Sequence, residues 1–160
     1  MKQVLRGTAV AVVAVTIVAT TMVGAEAKAR FRGVTFTNDL VTLVAPFTEV
    51  GLAPKADATV HLSASSWARY TCLLPSGKRS GVVKTVDAGL LSSKVSGTAN
   101  ASGAYSDTAY LDPHLAYPDC PGKQRAHLER VCFTHPRLAD KRSGATYADP
   151  DVKRLCIRTA

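Results

Sequence analysis

Ala58-Thr59-Val60-His61-Leu62-Ser63-Ala64 carries the clearest structural pattern in the chain. Ala58, Val60, Leu62 and Ala64 recur at every second position, with Thr59, His61 and Ser63 between them. A period of two marks a strand with one packed and one wet face, because successive side chains leave an extended backbone on opposite sides. Tyr70, Cys72 and Leu74 repeat the pattern a few residues on, which turns Cys72 inward.

Working outward, the chain from Phe31 onward is a series of short β-branched and aromatic runs broken by Gly, Pro, Ser and Asp. No amphipathic stretch of helical period interrupts them, so the expectation is all-β. Strands are predicted over 31–37, 41–45, 59–64, 67–74, 82–87, 91–98, 104–111, 127–133, 137–139 and 152–157. Pro75-Ser76-Gly77, Ala101-Ser102-Gly103, Asp112-Pro113, Pro121-Gly122 and Arg142-Ser143-Gly144 supply the bends between them. Turn signals spaced at roughly 8 to 12 residues fit a sandwich or a barrel. The sandwich is preferred, because its cysteines can bridge strands or pin a long loop. Residues 112–122, with Pro113, Pro118 and Pro121, form the loop that Cys120 is expected to hold down.

The N-terminus carries a different instruction. Lys2 and Arg6 precede an uncharged Ala/Val/Thr-rich run from Gly7 to Ala25, closed by Ala25-Glu26-Ala27. A basic start, an apolar middle and small residues at a cleavage site describe a secretory signal peptide. The reading is a signal-peptide helix over 1–27, cleaved after Ala27, followed by a secreted domain over 28–160. The alternative is an uncleaved anchor, since 19 uncharged residues just reach across a bilayer of about 30 Å. The Ala/Thr-rich composition and the A-x-A site favour cleavage, and Ala27-Lys28-Ala29 offers a second site. With no Cys before Cys72, a lipid-modified cysteine at the junction is excluded.

Removing Lys2, Arg6 and Glu26 leaves 18 basic against 11 acidic side chains, a formal +7. That sign favours anionic surfaces through an attraction that salt screens. Cys72, Cys120, Cys132 and Cys156 all lie in the exported part, and an even number in an oxidising compartment reads as two disulfides. Three connectivities are open. Cys72–Cys120 with Cys132–Cys156 is favoured, because Cys132 and Cys156 sit in strand-like runs, 128–133 and 152–157, that can be neighbours. Cys132 and His135 have C-x2-H spacing with His127 nearby, but a structural zinc site wants a second ligand pair, which is missing.

Several strings, taken in order, carry a resemblance: Phe47-Thr48-Glu49-Val50-Gly51-Leu52, Ala68-Arg69-Tyr70-Thr71-Cys72, Cys120-Pro121-Gly122-Lys123-Gln124, and Phe133-Thr134 followed by Asp140 and Ser143-Gly144-Ala145. From Phe47 to Ala145 the chain resembles a family of small exported actinobacterial proteins of uncharacterised function. The resemblance implies an immunoglobulin-like sandwich with Cys72 joined to Cys120, and supplies no catalytic residues. Leu73-Leu74-Pro75-Ser76 departs from the polar stretch the family has after this cysteine, and Cys132 with Cys156 is an addition.

The residues give little support to catalysis or metal binding. There is no G-x-S-x-G elbow to present a nucleophile, His61 falls on a polar strand face and His114 in the proline-rich loop. Asp112 and Asp119 share that loop and are the candidate for paired carboxylates, but Asp beside Pro is also ordinary turn chemistry. Asp149-Pro150-Asp151 lacks the oxygen ligands and glycine bend of a calcium loop. Asn100-Ala101-Ser102 is a formal glycosylation acceptor. No cofactor or metal is expected, and catalytic residues are assigned to none.

The partner signal is basic. Arg137, Lys141, Arg142, Lys153, Arg154 and Arg158 form an anion-binding patch if neighbouring strands bring them together. Nucleic acid is disfavoured, since single-strand binders interleave aromatics and this third of the chain offers Phe133 and Tyr147. The expected function is therefore a secreted or cell-wall-associated, non-catalytic β-sandwich that binds an anionic wall polymer or another surface component. A secreted protease inhibitor presenting 112–119 is the alternative, with an extracellular hydrolase behind it.

Overall fold

A computed structural model describes residues 28–159, so the predicted signal peptide lies outside the described residues. Nine strands run in chain order: β1 Arg30–Arg32, β2 Thr37–Asp39, β3 Thr42–Val50, β4 Asp57–Leu73, β5 Arg79–Thr98, β6 Ala104–Leu111, β7 Arg125–Asp140, β8 Thr146–Tyr147 and β9 Arg154–Arg158. They build two antiparallel sheets. In the first, β3 is central, with β6 on one side and both β1 and β2 on the other. In the second the order is β5-β4-β7, and β8 and β9 share the far side of β7.

The core lies between the sheets and follows from strand alternation. Ala58, Val60, Leu62, Ala64, Ala68, Tyr70 and Cys72 of β4 are buried, facing Leu43, Ala45 and Phe47 of β3. Each large apolar side chain buried here contributes roughly 1.5–3 kcal/mol. Phe47 stands edge-on to Phe31 and Tyr105, with ring centroids 5.7 Å away in both cases. Tyr105 in turn lies against Gly97, where a Cβ would meet the ring at 2.3 Å, so only glycine fits.

Several strands are longer than their sequence pattern. The expected 59–64 and 67–74 are one strand, as are 82–87 with 91–98 and 127–133 with 137–139. β-Bulges carry the chain across each apparent break. Between Ser66 and Trp67 the β4–β5 register shifts, and Gly89, at φ 69, takes the left-handed backbone there. Its N–H is held by the Asp87 carboxylate at 2.8 Å. In β7, Ser63 pairs with Arg137 but Ser65 with Thr134, so His135 and Pro136 sit in a bulge that tolerates the missing proline donor. Pro46 likewise falls where β3 pairs with neither β1 nor β2, and β3 continues through it to Val50. The predicted strand 31–37 instead splits into β1 and β2 around Gly33, at φ 61. Leu74 does not share the inward face of Tyr70 and Cys72; it lies past the end of β4 and is exposed.

Both disulfides form as the favoured pairing, Cys72–Cys120 and Cys132–Cys156. On the chain-entropy model they contribute about 4 and about 3.5 kcal/mol. Cys120 ties the strandless segment after β6 to the core, and the Tyr117 ring of that segment packs tilted against buried Tyr70, with centroids 5.5 Å apart.

Candidate anion-binding site

The outer face of the second sheet gathers arginines. Arg69 of β4 is the register partner of Arg130 of β7, and Arg130 is the partner of Arg158 of β9, giving a row of three across adjacent strands. Cross-strand partners have Cβ atoms about 4.5–5.5 Å apart, and like charges placed so are destabilising. Two constraints hold the row together. Cys132 faces Cys156 two positions along the same ladder and is bonded to it, so β9 cannot slip away from β7. The Thr159 backbone N–H donates to the Glu129 carbonyl at 3.0 Å and its hydroxyl to the Leu128 carbonyl, fastening the end of the chain.

Glu129 owes its position to a bulge. Tyr70 pairs with Leu128 and Arg69 with Arg130, leaving Glu129 as the extra residue. Its largely buried carboxylate lies 3.4 Å from Arg69 Nε and 2.9 Å from Arg79 Nη1. Such ion pairs, with well-exposed arginines, are each worth about 0.2–1 kcal/mol, so their role is orientation more than stability. Arg69, Arg79, His127, Glu129, Arg130 and Arg158, with Thr159, line a cleft of about 280 Å³. Four guanidinium groups face one carboxylate there. Among the described residues Arg130 and Arg158 make no ion pair.

The sequence-predicted cations distribute as follows. Arg158 lines the cleft, and Arg154 shares its strand and face, opposite Thr134. Arg137 is exposed on β7 opposite Ser63, beyond the His135–Pro136 bulge. Lys153 precedes β9, where its carbonyl accepts the His135 N–H at 3.3 Å. Lys141 and Arg142 lie in the turn after β7, and Arg142 reaches Asp57 at 3.6 Å. Asp57 and Arg69 are twelve residues apart along β4, roughly 40 Å of extended chain. Arg142 and Arg158 therefore occupy opposite ends of the sheet. Arg69, Arg79 and Arg130 were outside the predicted patch. The signal for Arg130 was present: in an antiparallel pair with Cys132 opposite Cys156, residue 130 must oppose residue 158.

A second polar cluster joins the sheets. Glu49, at a core-facing position of β3 between Phe31 and Tyr105, is fully buried. Ser143 Oγ donates to its Oε1 at 2.5 Å, and the Ala145 N–H donates to Ser143 Oγ at 3.1 Å. Among the described residues Glu49 Oε2 has no hydrogen-bond partner. Burial pushes the Glu49 carboxyl up, the Ser143 hydrogen bond opposes this, and the nearby Asp140 carboxylate reinforces it. Asp140 is itself buried and accepts the Arg142 N–H at 2.8 Å. Of the other polar residues singled out in the sequence, Asp112 accepts the Thr42 hydroxyl at 2.6 Å and Cys132 is consumed by its disulfide.

No protein-family model matches the chain, and no curated protein is significantly similar to it.

Proposed function

We propose that the chain is exported, loses its leader after Ala27, and acts as a non-catalytic, immunoglobulin-like β-sandwich that binds an anionic polymer of the cell envelope. The observation that carries this reading is the row Arg69–Arg130–Arg158, kept in register by a neighbouring disulfide and matched by one carboxylate. Holding like charges side by side costs stability, and an anionic partner supplies the compensation. Two disulfides fit an oxidising destination, as does the resemblance to exported actinobacterial proteins. Retention of the purified protein on isolated envelope polymer, measured from low to high salt, tests it. Binding that falls steeply with salt is expected; binding indifferent to salt, or none at low salt, overturns it.

A second reading rests on the segment after β6. Cys120, through its bond to Cys72, and Tyr117, packed against Tyr70, fix it as an exposed, preorganised loop, the property a protease inhibitor needs. Slowing of a serine-protease panel at micromolar concentration supports that reading, and no effect removes it.

A further inference from the structure

Resting on the anion-binding reading, we propose that the arginine cleft is a site for a phosphate monoester dianion, with Arg130 and Arg158 as its paired ligands. Charge is the first argument. Glu129 is already engaged by Arg69 and Arg79, whereas Arg130 and Arg158 have no carboxylate partner among the described residues. Among the described residues the cleft sets four guanidinium groups against one carboxylate, an excess of positive charge that a group carrying about −1.5 to −2 at pH 7, as a phosphate monoester does, offsets more fully than a singly charged anion. A carboxylate or a phosphodiester, at one negative charge, offsets less of it.

Geometry is the second argument. Arg130 and Arg158 are direct register partners, so their side chains leave the sheet side by side. Each guanidinium is a planar fork of donors with no acceptor, suited to bidentate contact with phosphate oxygens. Two forks rooted this close converge on one tetrahedral group with three acceptor oxygens. The third argument is preorganisation. The Cys132–Cys156 bond holds the two arginines together before any ligand arrives, so the like-charge penalty belongs to the free protein and is relieved on binding.

Titration of the purified protein with glycerol phosphate, inorganic phosphate, a dialkyl phosphate and acetate at fixed ionic strength, followed by backbone amide NMR shifts, tests the inference. Glycerol phosphate is expected to bind at least about tenfold more tightly than the diester or acetate, a difference of about 1.4 kcal/mol. The shifts should centre on Arg130 and Arg158. The double variant R130Q/R158Q, which removes a repulsive pair and so should fold, is expected to lose that binding. The far-end variant R137Q/K141Q/R142Q is expected to keep it. Equal affinity for all four anions, binding of inorganic phosphate without the monoester, or phosphate binding that survives R130Q/R158Q overturns the inference. If the wild-type protein is held by envelope polymer in a salt-dependent way and R130Q/R158Q is held equally well, the cleft assignment fails while the wider reading stands. If the wild-type protein is not held at all, the wider reading fails.

Discussion

Arg130 faces Arg158 across the β7–β9 ladder, two positions from the bonded pair Cys132 and Cys156. A repulsive pair sits beside a covalent clamp, and stability and binding pull in opposite directions at that position.

Charge reversal separates the two. R158E turns a repulsive cross-strand pair into an attractive one, worth about 0.2–1 kcal/mol. Thermal unfolding should move up by no more than about 2–4 °C, while salt-dependent retention on anionic polymer falls. A lowered melting temperature with binding intact contradicts this account of the row.

Removing the clamp has the converse signature. C132A/C156A should lose about 3.5 kcal/mol on the chain-entropy model, read as a shift in the urea midpoint. Because Cys72–Cys120 and the core between the sheets are untouched, far-UV circular dichroism should stay β-like. β9 should release its amides to rapid hydrogen exchange, with anion binding reduced alongside. Full protection of β9 in this variant shows that the bond does not hold the strand.

Glu49 sets a pH dependence. Its carboxyl is raised above the ordinary value of 4.5 by burial, so the native state holds its proton more tightly than the unfolded chain does. Stability is therefore fullest below the ordinary value and declines as pH climbs from there through the raised folded value. E49Q keeps the shape and an acceptor for Ser143 while removing the titration. Its urea midpoint should be flatter than the wild type's across that window, as measured by denaturation at a series of pH values. A wild-type midpoint that rises over the same window argues against a protonated, buried Glu49.

Gly97 tests the packing between β5 and β6. A methyl group there would lie 2.3 Å from the Tyr105 ring, so G97A must displace the ring that packs on Phe47. Overpacking of this kind costs about 1–3 kcal/mol. Combining it with Y105A should recover much of that cost relative to Y105A alone, and a simple sum of the two losses in a double-mutant cycle speaks against the contact.

The fold was legible where a residue's neighbours along the chain decide its environment. The alternation around Val60 and Leu62 gave the inward face of β4, and strand-like runs around Cys132 and Cys156 gave their pairing. What stayed hidden depends on bulges. The bulges beside Gly89 and at His135–Pro136 each absorb an extra residue, and to a reading by period two such a residue looks like the end of a strand. The same effect obscured the site: Arg69 and Arg79 reach Glu129 only because the β4–β7 bulge pushes Glu129 out of the ladder. The predicted patch required Arg137, Lys141 and Arg142 to lie beside Lys153, Arg154 and Arg158, but β9 pairs with β7 over Arg130–Thr134, which puts Arg158 beside Arg130 and leaves Arg142 in the turn near Asp57.

Whether the Arg69–Arg130–Arg158 row binds anions is decided by the affinity of wild type and R130Q/R158Q for isolated envelope polymer as a function of salt. Wild-type affinity should fall steeply with added salt, and the variant should give a weaker, shallower curve. Superimposable curves from the two proteins would rule the row out as the site.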